Sequence, residues 1–185
     1  MRRILMANNE KMLRGNTTVL AIYPEGIADP QHPKSAELNA QFKYATNTAA
    51  RVFNISCAIT DDSFTANVAD SDTDDTRTIC QVGQTQNPTF QNYEVSFDVL
   101  RDEDLMAQGV FNLAFELFIA PDRPFWIVTR QGEISTEPFR VGQDIKMFGV
   151  TTDNPVDVVD DNSMLKFGPR FKNTGELLVN YRLES

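Results

Sequence analysis

Tyr93-Glu94-Val95-Ser96-Phe97-Asp98-Val99 is the stretch whose reading decides the fold class. Apolar side chains occupy every second position, with Glu94, Ser96 and Asp98 between them. Side chains alternate across a strand, so this period of two predicts a half-buried β-strand. Tyr93, Val95, Phe97 and Val99 then face the core, and the three polar groups face away from it.

Working outward, the same signal recurs. Phe53, Ile55, Cys57 and Ile59 alternate with smaller or polar residues and predict another half-buried strand. β-Branched and aromatic residues predict strands over 17–23, stopped by Pro24, and over 78–82, ended by Gly83. Beyond the central strand, Asp102 reads as a helix N-cap with Glu103 and Asp104 in the first turn, where the helix dipole favours acids. The predicted helix runs to about residue 119 and stops before Pro121. Met106, Val110, Leu113, Ala114 and Leu117 form one stripe, and Phe111, Phe115 and Phe118 cover much of the rest. A helix apolar around most of its circumference is covered on more than one side. Its own sheet is one cover, and a second subunit is expected to be the other, through Phe111, Phe115 and Phe118.

Residues 125–128 are apolar on both faces, which places Trp126 and its neighbours in a central strand or at a subunit interface. Further strands are expected over 144–151, 164–167 and 177–183, with Asp153, Asp157, Asp160 and Asp161 marking a solvated loop. Another acidic loop spans 60–76, which holds six Asp and no Lys. The sum is a mainly β chain, a sandwich or open barrel of about eight strands with one flanking helix, and no alternation of helix and strand. The 185 residues are expected to form a single domain, with a locally basic mobile arm over 1–15. Residues 24–49 hold Pro24, Pro30 and Pro33 and few large apolar side chains, and are expected to form a long loop that orders against a neighbouring subunit.

Composition narrows the function. Thirteen Phe against one Trp and four Tyr suggest a core of flat side chains packed between sheets. A net charge of −9 disfavours wrapping nucleic acid, because that affinity comes from cations neutralising phosphates. Cys57 and Cys80 are too few for a disulfide framework or zinc site and are expected to be reduced, buried thiols. Arg2 and Arg3 precede only four apolar residues before Asn8, short of a secretory segment, and no stretch approaches the ~18 apolar residues of a membrane span. Assembly in the cytoplasm and no membrane partner are therefore expected.

Catalytic chemistry finds little support. His32 sits in the long loop, where nothing positions it as a base for a nucleophile. Nucleotide-binding, serine-hydrolase and zinc-protease motifs do not occur. Asp70, Asp72 and Asp74 copy the opening of a calcium loop, which then fails at Asp75 in the sixth position and Gln81 in the twelfth. Paired acids such as Asp61–Asp62 and Asp160–Asp161 lack a sugar platform or oxyanion feature nearby. Lys146, Lys166, Arg170 and Lys172 form no dense basic stripe. No catalytic residue, metal site or cofactor is expected.

Residues 75–83 (Asp75-Thr76-Arg77-Thr78-Ile79-Cys80-Gln81-Val82-Gly83) lead into Asn87-Pro88-Thr89-Phe90-Gln91-Asn92-Tyr93-Glu94. The long strand, Arg101-Asp102 and the aromatic helix follow, and then Pro124-Phe125-Trp126-Ile127-Val128-Thr129-Arg130-Gln131-Gly132. In this order the chain resembles the tail tube (major tail) proteins of long-tailed bacteriophages, most like those infecting actinobacteria. The resemblance is clear over 75–130 and elsewhere lies in element order. It implies a non-enzymatic virion protein: a β-sandwich with a flanking helix, built into hexameric rings stacked as a hollow tail tube. The inner sheets of a ring would join into one barrel, and the terminal arm and long loop would bridge adjacent rings. Tape measure, tail tip and terminator proteins would be partners, and double-stranded DNA would pass through without specific binding. In that frame Glu94, Ser96 and Asp98 would line the lumen. Competing readings are a tail terminator, a capsid decoration protein, the inner tube of a contractile injection device, or a β-sandwich binding module.

Overall fold

The computed structural model describes residues 16–42, 50–74, 87–158 and 164–185. In chain order the elements are β1 (Thr17–Ile22), α1 (Ser35–Asn39), β2 (Gln41–Phe42), β3 (Val52–Asn54), β4 (Thr65–Val68), β5 (Asp72–Asp74) and β6 (Asn87–Phe90). They continue with β7 (Tyr93–Ser96), β8 (Val99–Leu100), α2 (Val110–Phe118), β9 (Pro124–Gln131), β10 (Asp144–Val158) and β11 (Lys166–Arg182). The chain is mainly β, as expected. One seven-stranded sheet runs β2-β3-β1-β9-β10-β11-β8, and two small sheets pair β4 with β7 and β5 with β6.

The doubly apolar run 125–128 is central. β9 pairs antiparallel with β1 from Thr17↔Gln131 to Ile22↔Trp126, and with β10 from Lys146↔Thr129 to Thr151↔Pro124. Alternation sends Phe125 and Ile127 into one core and Trp126 and Val128 into another on the opposite face. β1 divides the same way, Val19 and Ala21 against Leu20 and Ile22. A strand buried on both faces has no polar positions to alternate with, which is why these runs read as continuously apolar.

The first core is the aromatic one. Phe118 meets Phe125 edge-on at 5.4 Å, Phe97 lies 5.8 Å from Phe118, and Phe171 lies 5.2 Å from Phe97. Here β7 and α2 cover the sheet, and β11 curls back so that its partner β8, with Phe167 and Phe171, reaches the same cluster. Edge-to-face rings add about 0.5–1.5 kcal/mol each beyond burial of their area. The Phe-rich composition therefore ends where it was expected to end. The second core lies under the segment that follows β1. Ile27 (4% exposed) and Leu38 (0%) pack on Trp126, Ile145 and Met147.

That packing revises the reading of residues 24–49. Over 24–42 the segment is a cover for its own sheet. Glu37 accepts the N–H groups of Ala28 and Lys34, both at 3.0 Å, and Asn39 exchanges two hydrogen bonds with the backbone of Phe139. Three prolines masked a stretch that buries few but large side chains. Residues 43–49 and the arm 1–15 lie outside the described residues, as do 75–86, including the strand expected over 78–82 and Cys80.

Three other boundaries move for local reasons. α2 begins at Val110 after Gly109, well beyond Asp102. Asp102 Oδ1 accepts the N–H of Asp104, and Asp104 Oδ1 that of Met106, so both carboxylates close turns in place of capping a helix. The strand expected over 53–59 ends at Asn54, because Asn54 Oδ1 takes the N–H and hydroxyl of Ser56 and draws the chain into a 3-10 turn over Ser56–Ala58. Cys57 is thereby exposed, contrary to expectation. Finally, the strands expected over 144–151, 164–167 and 177–183 are parts of one long antiparallel hairpin, β10 with β11. Apart from Phe167 and Phe171, which turn into the first core, its outer half carries mainly polar side chains, so only a weak hydrophobic period marks it. Backbone pairing and a 3.0 Å ion pair between Lys172 and Asp153 accompany it instead.

Candidate assembly surfaces

The single strand expected over 93–99 is two, β7 paired with β4 and β8 paired with β11, and β7 presents the polar face anticipated for its part. Tyr93 and Val95 are buried, and Glu94 and Ser96 are exposed. Glu94 and Ser96 share a cleft of about 400 Å³ with Pro169, Arg170 and Asn173 of β11. Asp98 is half-buried and separated from the other two. Its backbone bonds to Ser63 and Thr60, and its Oδ1 lies 3.1 Å from where a side chain at Gly168 would begin.

Of the expected interface residues, two point inward. Phe118 is fully buried against Phe125, and Trp126 is 5% exposed in the second core. Neither side chain is offered to a second subunit. Phe118 falls on the same helical face as Ala114 and Leu117, a spacing that already favoured the core. Phe111 and Phe115 remain partly exposed, and Phe115 is roofed by the Arg101 guanidinium, 3.3 Å from the ring centroid.

β11 supplies a surface that periodicity did not reveal. Beyond Gly175 it has β10 on one side and, among the described residues, no strand on the other. An unpaired edge carries N–H and C=O groups able to pair with another chain. Its course is set by a bulge. The buried Tyr93 hydroxyl accepts the N–H groups of Thr174 and Gly175, both at 3.1 Å, and donates to the carbonyl of Gly149. Gly149 is required there, because a Cβ would run into Thr174 Oγ1, and Gly175 takes φ +87°.

Arg130 is the second group that sequence reasoning missed. It is 1% exposed, and its guanidinium donates to the carbonyls of Ile134, Glu137 and Pro138, to Gln143 Oε1 and to Thr18 Oγ1. Phe139 stacks 4.2 Å away. Burial lowers its pKa, opposed by the fields of Glu133 and Glu137. Arg130 thus folds the β9–β10 connection over the second core. Only its place in a central strand exposes this role. In sequence it reads as the polar end of an apolar run.

His32 is exposed, with Nδ1 3.0 Å from Asp29 Oδ2 inside its own turn. Asp72 and Asp74 lie in β5, paired with β6, while Asp75 and Gln81 fall outside the described residues. Among the described residues no group of three or more His, Cys, Asp or Glu side chains is placed to hold a metal ion, and no helix is long and apolar enough to cross a membrane. What the described residues do present is a twice-covered central sheet, an open strand edge and a polar strand face, the surfaces of a building block.

A comparison with curated proteins finds no match to this sequence. A comparison with protein families matches residues 6–184 to the family described as phage tail tube protein. That match spans nearly the whole chain, and with the mainly β architecture it leads to one conclusion: the chain belongs to the phage tail tube protein family.

Proposed function

We propose that this chain is the repeating subunit of a bacteriophage tail tube, closing into hexameric rings that stack into a conduit for double-stranded DNA. The family match over 6–184 carries the structural tail role. The open outer edge of β11 supports ring closure, since pairing between neighbours would satisfy the backbone groups it leaves free. Phe111 and Phe115, the partly exposed aromatic residues of α2, are the interface residues to which that contact is assigned. The net charge of −9 and the exposed Glu94–Ser96 face of β7 suit a bore wall that must not retain phosphates. Residues 1–15 and 43–49 are assigned to contacts between rings, with tape measure, tail tip and terminator proteins as partners. The tube is built in the host cytoplasm and resides in the virion tail, and the phage is one infecting actinobacteria.

The test is direct. Purified subunit, concentrated alone or co-expressed with tail-initiation proteins, is imaged by negative-stain electron microscopy. Hollow tubes with six-fold rings are the expected result. A protein that stays monomeric under both conditions, or forms isolated trimers, would exclude the proposal.

A further inference from the structure

The turn between β8 and α2 holds two large apolar side chains in water. Leu105 is 66% exposed and Met106 88%, beside a groove of about 230 Å³ whose other side is Asn112, Leu113 and Glu116 of α2. The turn is not free to fold these side chains away. Asn112, itself buried, donates from Nδ2 to the carbonyls of Asp104 at 2.8 Å and Ala107 at 2.9 Å. The Asp102 and Asp104 carboxylates fasten the intervening N–H groups. Apolar surface kept exposed by a pinned backbone is recovered only when something docks on it. The approach is acidic, through Asp102, Glu103 and Asp104. The nearest cation in sequence, Arg101, is engaged with Phe115.

The chemical complement of this ledge is in the chain itself. Residues 1–15 contain Arg2-Arg3-Ile4-Leu5-Met6, an apolar run preceded by two cations, and Lys11-Met12-Leu13-Arg14, one with a cation on each side, against a single acid at Glu10. Such a segment matches a surface that is apolar at its centre and acidic at its rim. The chain leaves β1 at Asn16, whose carbonyl accepts the N–H of Gly132 just past the C-terminal end of β9. Fifteen extended residues span up to ~50 Å, enough to reach a neighbouring molecule. We propose that the Leu105–Met106 ledge is the docking site for the basic, apolar N-terminal arm of a second copy of this chain. The arm's apolar run covers Met106 and fills the groove against Leu113, and its arginines meet the carboxylates at the rim. This inference rests on the tube reading above and adds to it the surface that receives the arm.

The full chain is tested with a photo-crosslinking amino acid at Met106, in equal mixtures of isotopically light and heavy subunits assembled into tubes. Mixed-isotope crosslinks from position 106 into residues 1–15 are expected in tubes and absent from dilute subunit. In parallel, Met106→Lys should raise the concentration needed for assembly ~tenfold or more, about 1.4 kcal/mol, while leaving the melting temperature of the free subunit unchanged. Deleting residues 1–15 should do the same. Tubes whose crosslinks stay within one molecule, or land outside residues 1–15, would overturn the docking proposal and leave the tube intact. So would an unchanged assembly concentration for both variants. Failure of the wild-type chain to form tubes under any condition would overturn both readings together.

Discussion

Tyr93 is one residue with two tasks. Its ring lies in the aromatic core, 5.8 Å from Phe148, and its hydroxyl holds the bulge at Thr174–Gly175. Tyr93→Phe keeps the ring and leaves the bulge N–H groups and the Gly149 carbonyl without this partner. Buried polar groups left unpaired cost about 1–3 kcal/mol, so urea denaturation of the free subunit should show a loss of that size. A loss below about 0.5 kcal/mol would mean the hydroxyl does not hold the bulge. Asp153 gives a pH-dependent counterpart. The N–H of Asn154 and then the Lys172 ammonium lower its pKa from the ordinary 3.8. A carboxylate with a depressed folded-state pKa contributes stability that is fully present above its unfolded value and lost as pH falls through the folded one. Asp153→Asn should therefore lower stability at neutral pH and make no difference in strong acid. A carboxyl titration followed by NMR should show a midpoint below 3.8. A midpoint at or above that value would show that the hairpin pair does not form in solution.

At the scale of elements, β11 is the one whose role differs most along its length. Its first residues pair with β8 and bury Phe167, and its last run along an open edge with Val179 38% exposed. Charged side chains on an edge strand oppose pairing with another strand while leaving the sheet's own pairing in place. Val179→Lys should fold with a melting temperature within about 2 °C of the parent, because surface substitutions away from buried features change stability little. It should fail to form tubes, as sedimentation velocity would report. A variant that polymerises at the parent concentration would remove this edge from the assembly contact. α2, by contrast, is held mainly from within. With Phe118 in the core, its outward aromatic surface is Phe111 and the part of Phe115 that Arg101 leaves uncovered.

For the whole molecule, the question is what the wall of a tube presents to DNA. Glu94 is exposed on β7 and makes no core contact, so Glu94→Lys should leave folding and tube formation unchanged. If this face lines the bore, each ring gains cations where it held carboxylates, and passing phosphates are retained by counterion-releasing contacts. DNA delivery should slow at low salt and recover as ionic strength rises, since the field is screened beyond about 8–10 Å near physiological salt. Delivery at the parent rate at all salt concentrations would place Glu94 elsewhere than the lumen. Asp98 does not belong in that experiment, because it lies beyond the end of β7 and is half-buried, unlike the exposed Glu94 and Ser96.

Much of this molecule was legible in its chain because burial imposes a period. The alternation at 93–99 placed Tyr93, Val95, Phe97 and Val99 inside and Glu94 and Ser96 outside, and the unbroken apolar run at 125–128 marked the central strand. The aromatic core and the stop of α2 before Pro121 follow from the same local chemistry. Tertiary structure decided what has no period. The outer hairpin of β10 and β11 turns Phe167 and Phe171 into the core but is otherwise mainly polar, and each arm supplies the other's backbone partners. Arg130 becomes a hub only when Thr18, 112 residues away, and the β9–β10 connection converge on it. Asp102 and Asp104 were free to cap a helix or close turns, and Asn112, bonding back to the carbonyls of Asp104 and Ala107, accompanies the second choice. Residues 24–42 became a lid because the second core gave Ile27 and Leu38 somewhere to go. Except at Asp102 and Asp104 the decisive partner is distant in sequence, and a one-dimensional pattern records which side chains are apolar without recording which backbone or carbonyl will meet them.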